Sequence, residues 1–104
     1  MNRIEQLEQF FREDPNDPFN SYALALEYLK SDQKKAYDLF FKLIEAHPNY
    51  LPTYYPLAQL LIEQQNPEAE VIFKTGIEKA RLVADQKTLK ELTSAYNDWL
   101  FEQS

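Results

Sequence analysis

A fixed interval of 33 residues relates two stretches of this chain. The step joins prolines, asparagines, leucines, alanines and phenylalanines in pairs: Pro15 and Pro48, Asn16 and Asn49, Leu24 and Leu57, Ala25 and Ala58, Ala36 and Ala69, Phe40 and Phe73. Matching residues at one interval indicate a structural unit that is built twice. Periods of this size are typical of stacked repeats, in which each unit buries its apolar face against the next.

Composition limits the chemistry that the chain can support. Its 104 residues suffice for one domain with a modest core, and a hydrophobic content of 44% excludes a disordered acidic tail. Glycine occurs once and cysteine is absent, so a glycine-rich phosphate loop, a disulfide framework and thiolate chemistry are excluded. A chain without cysteine is compatible with a reducing compartment.

Charge and hydropathy limit the partners. The formal net charge is −6, so nucleic acid and anionic membrane surfaces would be repelled by the average field. No apolar run is long enough to span a membrane, and residues 1–13 lack the apolar segment of a signal peptide. We therefore expect no nucleic acid and no membrane among the partners, and a cytoplasmic location.

Apolar spacing and helix-end signals predict six helices and no strand. The predicted ranges are 2–13, 18–30, 33–46, 52–64, 67–83 and 86–101. Asp17 precedes Pro18 as an N-cap, and Pro56 should delay or bend the start of the fourth helix. Gly76 lies inside the fifth helix, which makes sense if a neighbouring helix approaches closely there.

The helical pattern resembles the tetratricopeptide repeat, a helix–turn–helix unit of about 34 residues. The first unit matches at Ser21, Leu24, Ala25, Tyr28, Ala36, Phe40 and Pro48. The second matches at Tyr54, Leu57, Ala58, Leu61, Ala69 and Phe73, and half of a third at Leu89, Leu92, Thr93 and Tyr96. The chain departs from the family pattern in three ways. The first residue of the first unit is the small Ser21, Ala25 and Ala58 replace the usual glycine, and the step from Leu57 to Leu92 is longer, at 35 residues.

The resemblance implies an all-α fold, a right-handed array of antiparallel helix hairpins with about two and a half repeats. On this interpretation residues 1–104 form one domain. Its parts are a leading helix (1–14), two repeats (15–48 and 49–84) and a C-terminal capping helix (85–104). Arg3 is then equivalent to Ala36 and Ala69. A long charged side chain fits there because no helix precedes it at an open end.

The resemblance also implies a peptide-binding groove along the first helix of each repeat. Tyr22 and Tyr55 recur at the repeat step on that face. The groove residues that we predict are Phe19, Tyr22, Leu26, Lys30, Tyr55, Gln59, Ile62 and Glu63. The alternative for Tyr22, Leu26 and Tyr55 is that they pack between adjacent first helices. Members of the family that clamp a C-terminal carboxylate use lysine and asparagine at positions that here hold Tyr22, Leu26, Tyr55 and Gln59, so capture of such a tail is not expected.

No residue constellation indicates catalysis, a cofactor or a metal. His47 is the single histidine and could serve as a base or a ligand, but a helix-end imidazole beside Pro48 explains it more simply. Glu63, Glu68 and Glu70 could form a carboxylate cluster, whereas acids near a helix start ordinarily compensate the helix dipole. The sequence therefore predicts a non-enzymatic scaffold that binds a protein or peptide partner.

A second hypothesis is self-assembly through the terminal helices, giving a homodimer or a larger oligomer. The first helix carries an apolar stripe with no preceding helix to cover it. At the other end, Trp99 can follow Leu92 and Tyr96 into the core, whereas Phe101 points elsewhere. Phe101 would then be a dimer contact or a singly exposed aromatic residue.

Overall fold

The computed structural model describes residues 2–104, which contain six α-helices, one turn of 3₁₀ helix and no strand. The helices are α1 (Arg3–Glu13), α2 (Pro18–Tyr28), α3 (Gln33–Ala46), α4 (Tyr54–Glu63), α5 (Ala69–Leu82) and α6 (Gln86–Gln103). The all-α class and the six predicted helices are confirmed. The bounds of α3 agree with the prediction at both ends, and no end of the other helices lies more than two residues from its predicted position.

Most helix starts follow from local side-chain chemistry. The carboxylate of Asp17 accepts the backbone N–H of Phe19 at 2.9 Å, and Pro18 takes the first helical position. Asp32 accepts the N–H of Lys35 at 3.2 Å at the start of α3. Asn66 accepts the N–H of Glu68 at 2.9 Å, which holds a turn before α5. The bonds that follow span three residues, from Ala69 N–H to Asn66 O at 3.1 Å and from Glu70 N–H to Pro67 O at 3.2 Å, so α5 begins at Ala69 rather than at the proline.

Two helices end on residues with left-handed backbone conformations. Gln65, after α4, has φ 54°, and Ala84, after α5, has φ 56°. The N–H of the next residue then bonds back to the helix, from Asn66 to Leu61 O at 2.8 Å and from Asp85 to Ala80 O at 2.9 Å. Glycine is the usual residue at this position because it has no Cβ to strain.

Proline displaces the start of α4, as the sequence predicts. Residues Leu51–Thr53 form a turn of 3₁₀ helix, and the α-helix begins only at Tyr54. Pro56 therefore falls in the first turn of α4, where the missing N–H has no intrahelical partner to lose.

The helices group into two compact units, one that ends at Thr53 and one that runs from Tyr54 to Ser104. In the first, α2 packs against both α1 and α3. Its fully or almost fully buried apolar residues are Leu7, Leu24, Ala25, Ala36, Phe40 and Leu43. In the second, α5 packs against both α4 and α6. Its buried apolar residues are Tyr54, Leu57, Ala58, Leu60, Leu61, Ala69, Ile72, Phe73, Ala80 and Leu92.

The predicted register of the repeats is confirmed by burial. Ala36 and Ala69, the small residues of the two repeats, are fully buried, as are Phe40 and Phe73. Arg3, at the equivalent position of the leading helix, has a side chain that is 67% exposed and lies 3.9 Å from the Glu27 carboxylate. The division into one leading helix, two repeats and a capping helix stays a prediction.

Gly76 is placed where helices approach closely, as expected. A Cβ built on it would lie 2.8 Å from Leu92 Cδ1 and 2.8 Å from Tyr54 Cβ. Ordinary carbon contacts lie at about 3.5–4.0 Å, so no side chain fits without displacement of α4 or α6. The glycine thus lets α5 lie against both of its neighbours.

Candidate functional site

The eight predicted groove residues lie on two helices. Phe19, Tyr22, Leu26 and Lys30 lie on α2 or just beyond its end, in the first unit. Tyr55, Gln59, Ile62 and Glu63 lie on α4, in the second unit.

On α2, the exposed and partly buried residues differ in what they contact. Phe19 is largely exposed at the start of the helix. The ring of Tyr22 lies edge-on to the ring of Tyr50, with centroids 5.8 Å apart. Burial, and then the neighbouring Tyr22, raises the pKa of Tyr50, so the Tyr50 hydroxyl stays neutral. Lys30 donates to the Glu27 carboxylate at 3.2 Å. Part of the Tyr22 surface is therefore used for packing on a loop residue, and packing between adjacent first helices stays an untested alternative.

On α4, three predicted residues line one depression of about 540 Å³ between α4 and α6, which we call the α4–α6 groove. They are Tyr55, Gln59 and Ile62; Glu63 is exposed and is not part of the lining. The remaining lining residues all come from α6: Lys90, Glu91, Ser94, Ala95, Asp98, Trp99 and Glu102. A volume of this size is in the range of known binding pockets.

An aromatic cluster fixes the α6 wall of the groove. Trp99 lies beside Phe73 and Tyr96, with ring centroids 6.1 and 6.2 Å away. The hydroxyl of Tyr96 donates to the Glu70 carboxylate on α5 at 3.1 Å. Burial, and then this hydrogen bond, raises the pKa of Tyr96 and keeps the donor neutral. Trp99 is thus held by packing and presents its remaining surface to the groove with little rotamer freedom to lose.

A second fixed point lies at the beginning of α6. Asp85 accepts the backbone N–H of Thr88 at 3.1 Å and the Thr88 hydroxyl at 2.8 Å. The backbone hydrogen bond, and then the hydroxyl, lowers the pKa of Asp85, so the carboxylate stays charged as a helix cap. This cap marks where α6 begins, and Leu92, which is fully buried, marks the face of α6 that packs on the core.

The groove combines apolar surface with an acidic rim. Tyr55, whose exposed fraction is 42%, lies on α4 opposite Trp99 and Ala95 of α6. Three carboxylates line the groove, and Lys90 is the one cation among the described lining residues. Such a surface accommodates an apolar side chain and attracts positive charge beside it.

Comparison with solved structures decides the family. The chain is similar to the solution NMR structure of a tetratricopeptide repeat domain protein from Salinibacter ruber, with 42% identity and a TM-score of 0.77. The match covers 83% of this chain and 89% of that one. A crystal structure of a tetratricopeptide repeat domain protein from the same organism gives 41% identity, a TM-score of 0.74, and coverage of 80% and 94%.

The chain belongs to the tetratricopeptide repeat family. The resemblance inferred from the residues is thereby confirmed. No protein-family model and no curated protein matches the sequence. Tetratricopeptide folds are in general non-enzymatic scaffolds for protein interactions. Within residues 2–104, no helix has both the length and the apolar character needed to cross a membrane.

The sequence prediction missed the α6 wall of this tetratricopeptide groove, although a signal for it was present. Leu57 and Leu92 are 35 residues apart. The same step carries Tyr55, Gln59 and Glu63 to Lys90, Ser94 and Asp98, and all three of the latter line the groove. Trp99 is not related to any predicted groove residue of α4 by this step. Its contacts with Phe73 and Tyr96 place it at the groove instead.

His47 lies at the end of α3, as the simpler explanation expects. Its backbone N–H bonds to Leu43 O at 2.7 Å and its own conformation is no longer helical. It lies beside Pro48 and Tyr50 around a shallow depression whose described lining includes no carboxylate.

Proposed function

We propose that this tetratricopeptide chain is a non-enzymatic, peptide-binding scaffold, with the α4–α6 groove as a binding surface. The observation that carries the proposal is that Tyr55, Gln59 and Ile62, selected on sequence grounds, lie together with Trp99 around one depression. Aromatic residues with few rotatable bonds suit this role, since they give large contact area at small entropic cost. The proposed setting is the cytoplasm, as expected from the sequence.

The occupant that best fits the groove is a peptide segment with an apolar anchor next to lysine or arginine. The anchor would lie between Tyr55 and Trp99, and the basic side chain would face Glu91, Asp98 or Glu102. These rim charges contribute orientation and association rate more than affinity, because they are solvent-exposed. The α2 residues Phe19, Tyr22, Leu26 and Lys30 stay predicted contacts of the same scaffold.

The test uses peptides selected from a random phage-displayed library on the folded chain. Trp99 is the single tryptophan and lines the groove, so its fluorescence reports occupancy directly. We expect selected peptides to be enriched in aromatic or aliphatic residues beside lysine or arginine, and to shift the Trp99 emission. Tyr55→Ala should weaken binding about tenfold, the typical effect of truncating an interface aromatic residue.

Phe101→Ala is the matched control, because it removes an exposed aromatic residue of the same unit that does not line the groove. It should leave peptide affinity unchanged. If Tyr55→Ala, and also the Tyr22→Ala Tyr55→Ala double variant, bound every selected peptide as tightly as the parent chain, the groove assignment would fail.

One observation favours self-assembly as a second candidate function. The side chain of Phe101 is 81% exposed and that of Leu100 is partly exposed, both near the end of α6. An exposed apolar pair of this kind is a common element of protein contacts. Light scattering over a range of concentrations tests it: a dimer that Phe101→Ser dissociates supports this candidate, and a monomer at all concentrations contradicts it.

A further inference from the structure

A second apolar depression, of about 410 Å³, lies in the first unit between α1 and α3; we call it the α1–α3 cleft. Its lining comes from three helices: Glu8, Phe11, Arg12, Leu24, Tyr28, Lys35, Asp38, Leu39 and Lys42. In the repeat register α1 and α3 are second helices, whereas the proposed peptide groove follows first helices. The cleft is therefore a separate surface, and its interpretation does not depend on the proposed function.

The floor of the cleft is apolar and fixed in position. Leu24, from α2, is almost fully buried there, and Phe11 and Leu39 are partly buried on either side. The hydroxyl of Tyr28 donates to the Glu8 carboxylate at 2.7 Å, which ties α2 to α1. Burial, and then this bond, raises the pKa of Tyr28 to about 12, so the hydroxyl remains a donor. The ring of Tyr28 thus forms a rigid part of the floor.

The acids around the cleft have partners, whereas its cations lack carboxylate partners among the described residues. Both acids already have partners: Glu8 accepts from Tyr28, and Asp38 pairs with Lys34 at 3.1 Å. The three cations have no carboxylate partner within residues 2–104; they are Arg12, Lys35 and Lys42. Lys35 instead lies 5.4 Å from the centre of the Tyr28 ring. A chain of net charge −6 thus presents an excess of unpaired positive charge here.

We propose that the α1–α3 cleft binds an acidic, amphipathic peptide segment of a partner protein. Leucine- or phenylalanine-type side chains of the segment pack on Phe11, Leu24 and Leu39. Its aspartates or glutamates pair with Arg12 on one side and with Lys35 and Lys42 on the other. An apolar cleft between two helices suits an amphipathic helix, which places its apolar residues on one face and its acids along both edges.

Charge distinguishes this occupant from the other candidates. A polyphosphate or nucleic acid would pair with the cations but would leave the apolar floor uncovered, and the chain as a whole repels it. A second copy of the chain would bring its whole net charge of −6 to a contact at this cleft, and not only the acids that pair with the cations. A short acidic segment contributes much less repulsion and covers both the floor and the rim.

The probe is a synthetic, acetylated and amidated peptide with leucines at helical spacing and glutamates elsewhere. Its control is the same peptide with lysine in place of each glutamate. Backbone amide shifts in a ¹⁵N correlation spectrum locate each peptide on the full chain. We expect the acidic peptide to shift amides of α1 and α3 without changing Trp99 emission, and to bind more weakly as salt rises. The lysine peptide should leave α1 and α3 unshifted.

The Arg12→Glu Lys42→Glu double variant keeps the apolar floor and reverses two rim charges. It should bind the acidic peptide about tenfold more weakly, about threefold for each exposed ion pair lost. The matched control is Lys87→Glu Lys74→Glu, which changes the net charge equally outside the cleft and should leave affinity within about twofold. Circular dichroism of each variant verifies that it is folded.

Three results would overturn the proposal. They are no binding of the acidic peptide, equal loss of affinity in both double variants, and amide shifts confined to α4 and α6. The third would place the acidic peptide in the α4–α6 groove. Failure of the proposed function would look different, since Trp99 would then not respond to any selected peptide while α1 and α3 still responded to the acidic one.

Discussion

Replacing Gly76 with alanine should destabilise the second unit, although alanine is the better helix former. The added Cβ would lie 2.8 Å from Leu92 Cδ1, 2.8 Å from Tyr54 Cβ and 2.9 Å from Tyr54 Cγ. Leu92 Cδ1 is the end of a flexible side chain, but Tyr54 Cβ is the root of its side chain and moves only with the backbone of α4. Both residues are fully buried, so neither can turn outward.

The size of the effect follows from two opposing terms. Alanine gains about 1 kcal/mol over glycine inside a helix from its intrinsic propensity. Separating three atoms that lie ~0.7 Å inside ordinary contact is an overpacking change, which costs roughly 1–3 kcal/mol in a close-packed interior. We therefore expect Gly76→Ala to lower the free energy of unfolding by about 1 kcal/mol, and the midpoint of thermal unfolding by about 4–8 °C.

Urea unfolding followed by far-ultraviolet circular dichroism measures the change, and Glu78 provides the matched control. Glu78 is exposed on the same helix, so the difference between Glu78→Ala and Glu78→Gly reports helix propensity alone. Alanine should be the more stable of that pair by about 1 kcal/mol. The reasoning is refuted if alanine exceeds glycine by the same margin at position 76, because the close contact would then have no energetic effect.

Three further predictions concern the register, a helix end and pH. Ala36→Arg should unfold the first unit in thermal melts, because it places a charge in a fully buried position. Arg3→Ala should change the free energy of unfolding by less than about 0.5 kcal/mol, because Arg3 is exposed. Equal losses of stability in the two variants would contradict the register. Ala84→Gly should raise the free energy of unfolding by about 1 kcal/mol in urea titrations, since glycine adopts φ 56° without strain; no gain would contradict the strain argument. The pKa of Tyr28 is raised to about 12 in the folded chain, so the contribution of Tyr28 to stability is complete below pH ~10 and is lost as pH rises through 12. Tyr28→Phe should lessen that alkaline loss of stability in urea titrations at each pH. The same dependence of stability on pH in both chains would contradict the prediction.

Helix positions and buried residues could be predicted because their causes lie close together in the sequence. The N-caps Asp17 and Asp32 bond within three residues of themselves, and the effect of Pro56 on the start of α4 is likewise local. The burial of Ala36 and Ala69 follows from the repeat step, because equivalent positions meet equivalent neighbours. These are short-range or periodic constraints, and the primary sequence contains them in full.

The groove could be predicted on one side only. The repeat step indicates Tyr55, and the family resemblance implies Gln59 and Ile62. Trp99, which the sequence places in the core, both packs on Phe73 and lines the groove. A residue with two environments cannot be identified from periodicity, since periodicity assigns each position to one face. The ring contact between Tyr22 and Tyr50 was missed for a related reason, because Tyr50 lies in a loop that has no helical period.

The sequence by itself determined the repeat, the all-α class and the burial of the small and aromatic residues that recur at the repeat step, because interval, capping and helical periodicity can be read along the chain. The tertiary structure alone decided which charges face which depression. Arg12 and Lys42 meet around one cleft although 30 positions separate them, and Glu91, Asp98 and Glu102 gather along another. That segregation depends on how helices rotate about their axes when they pack, which is determined by contacts such as those of Gly76 and Leu92.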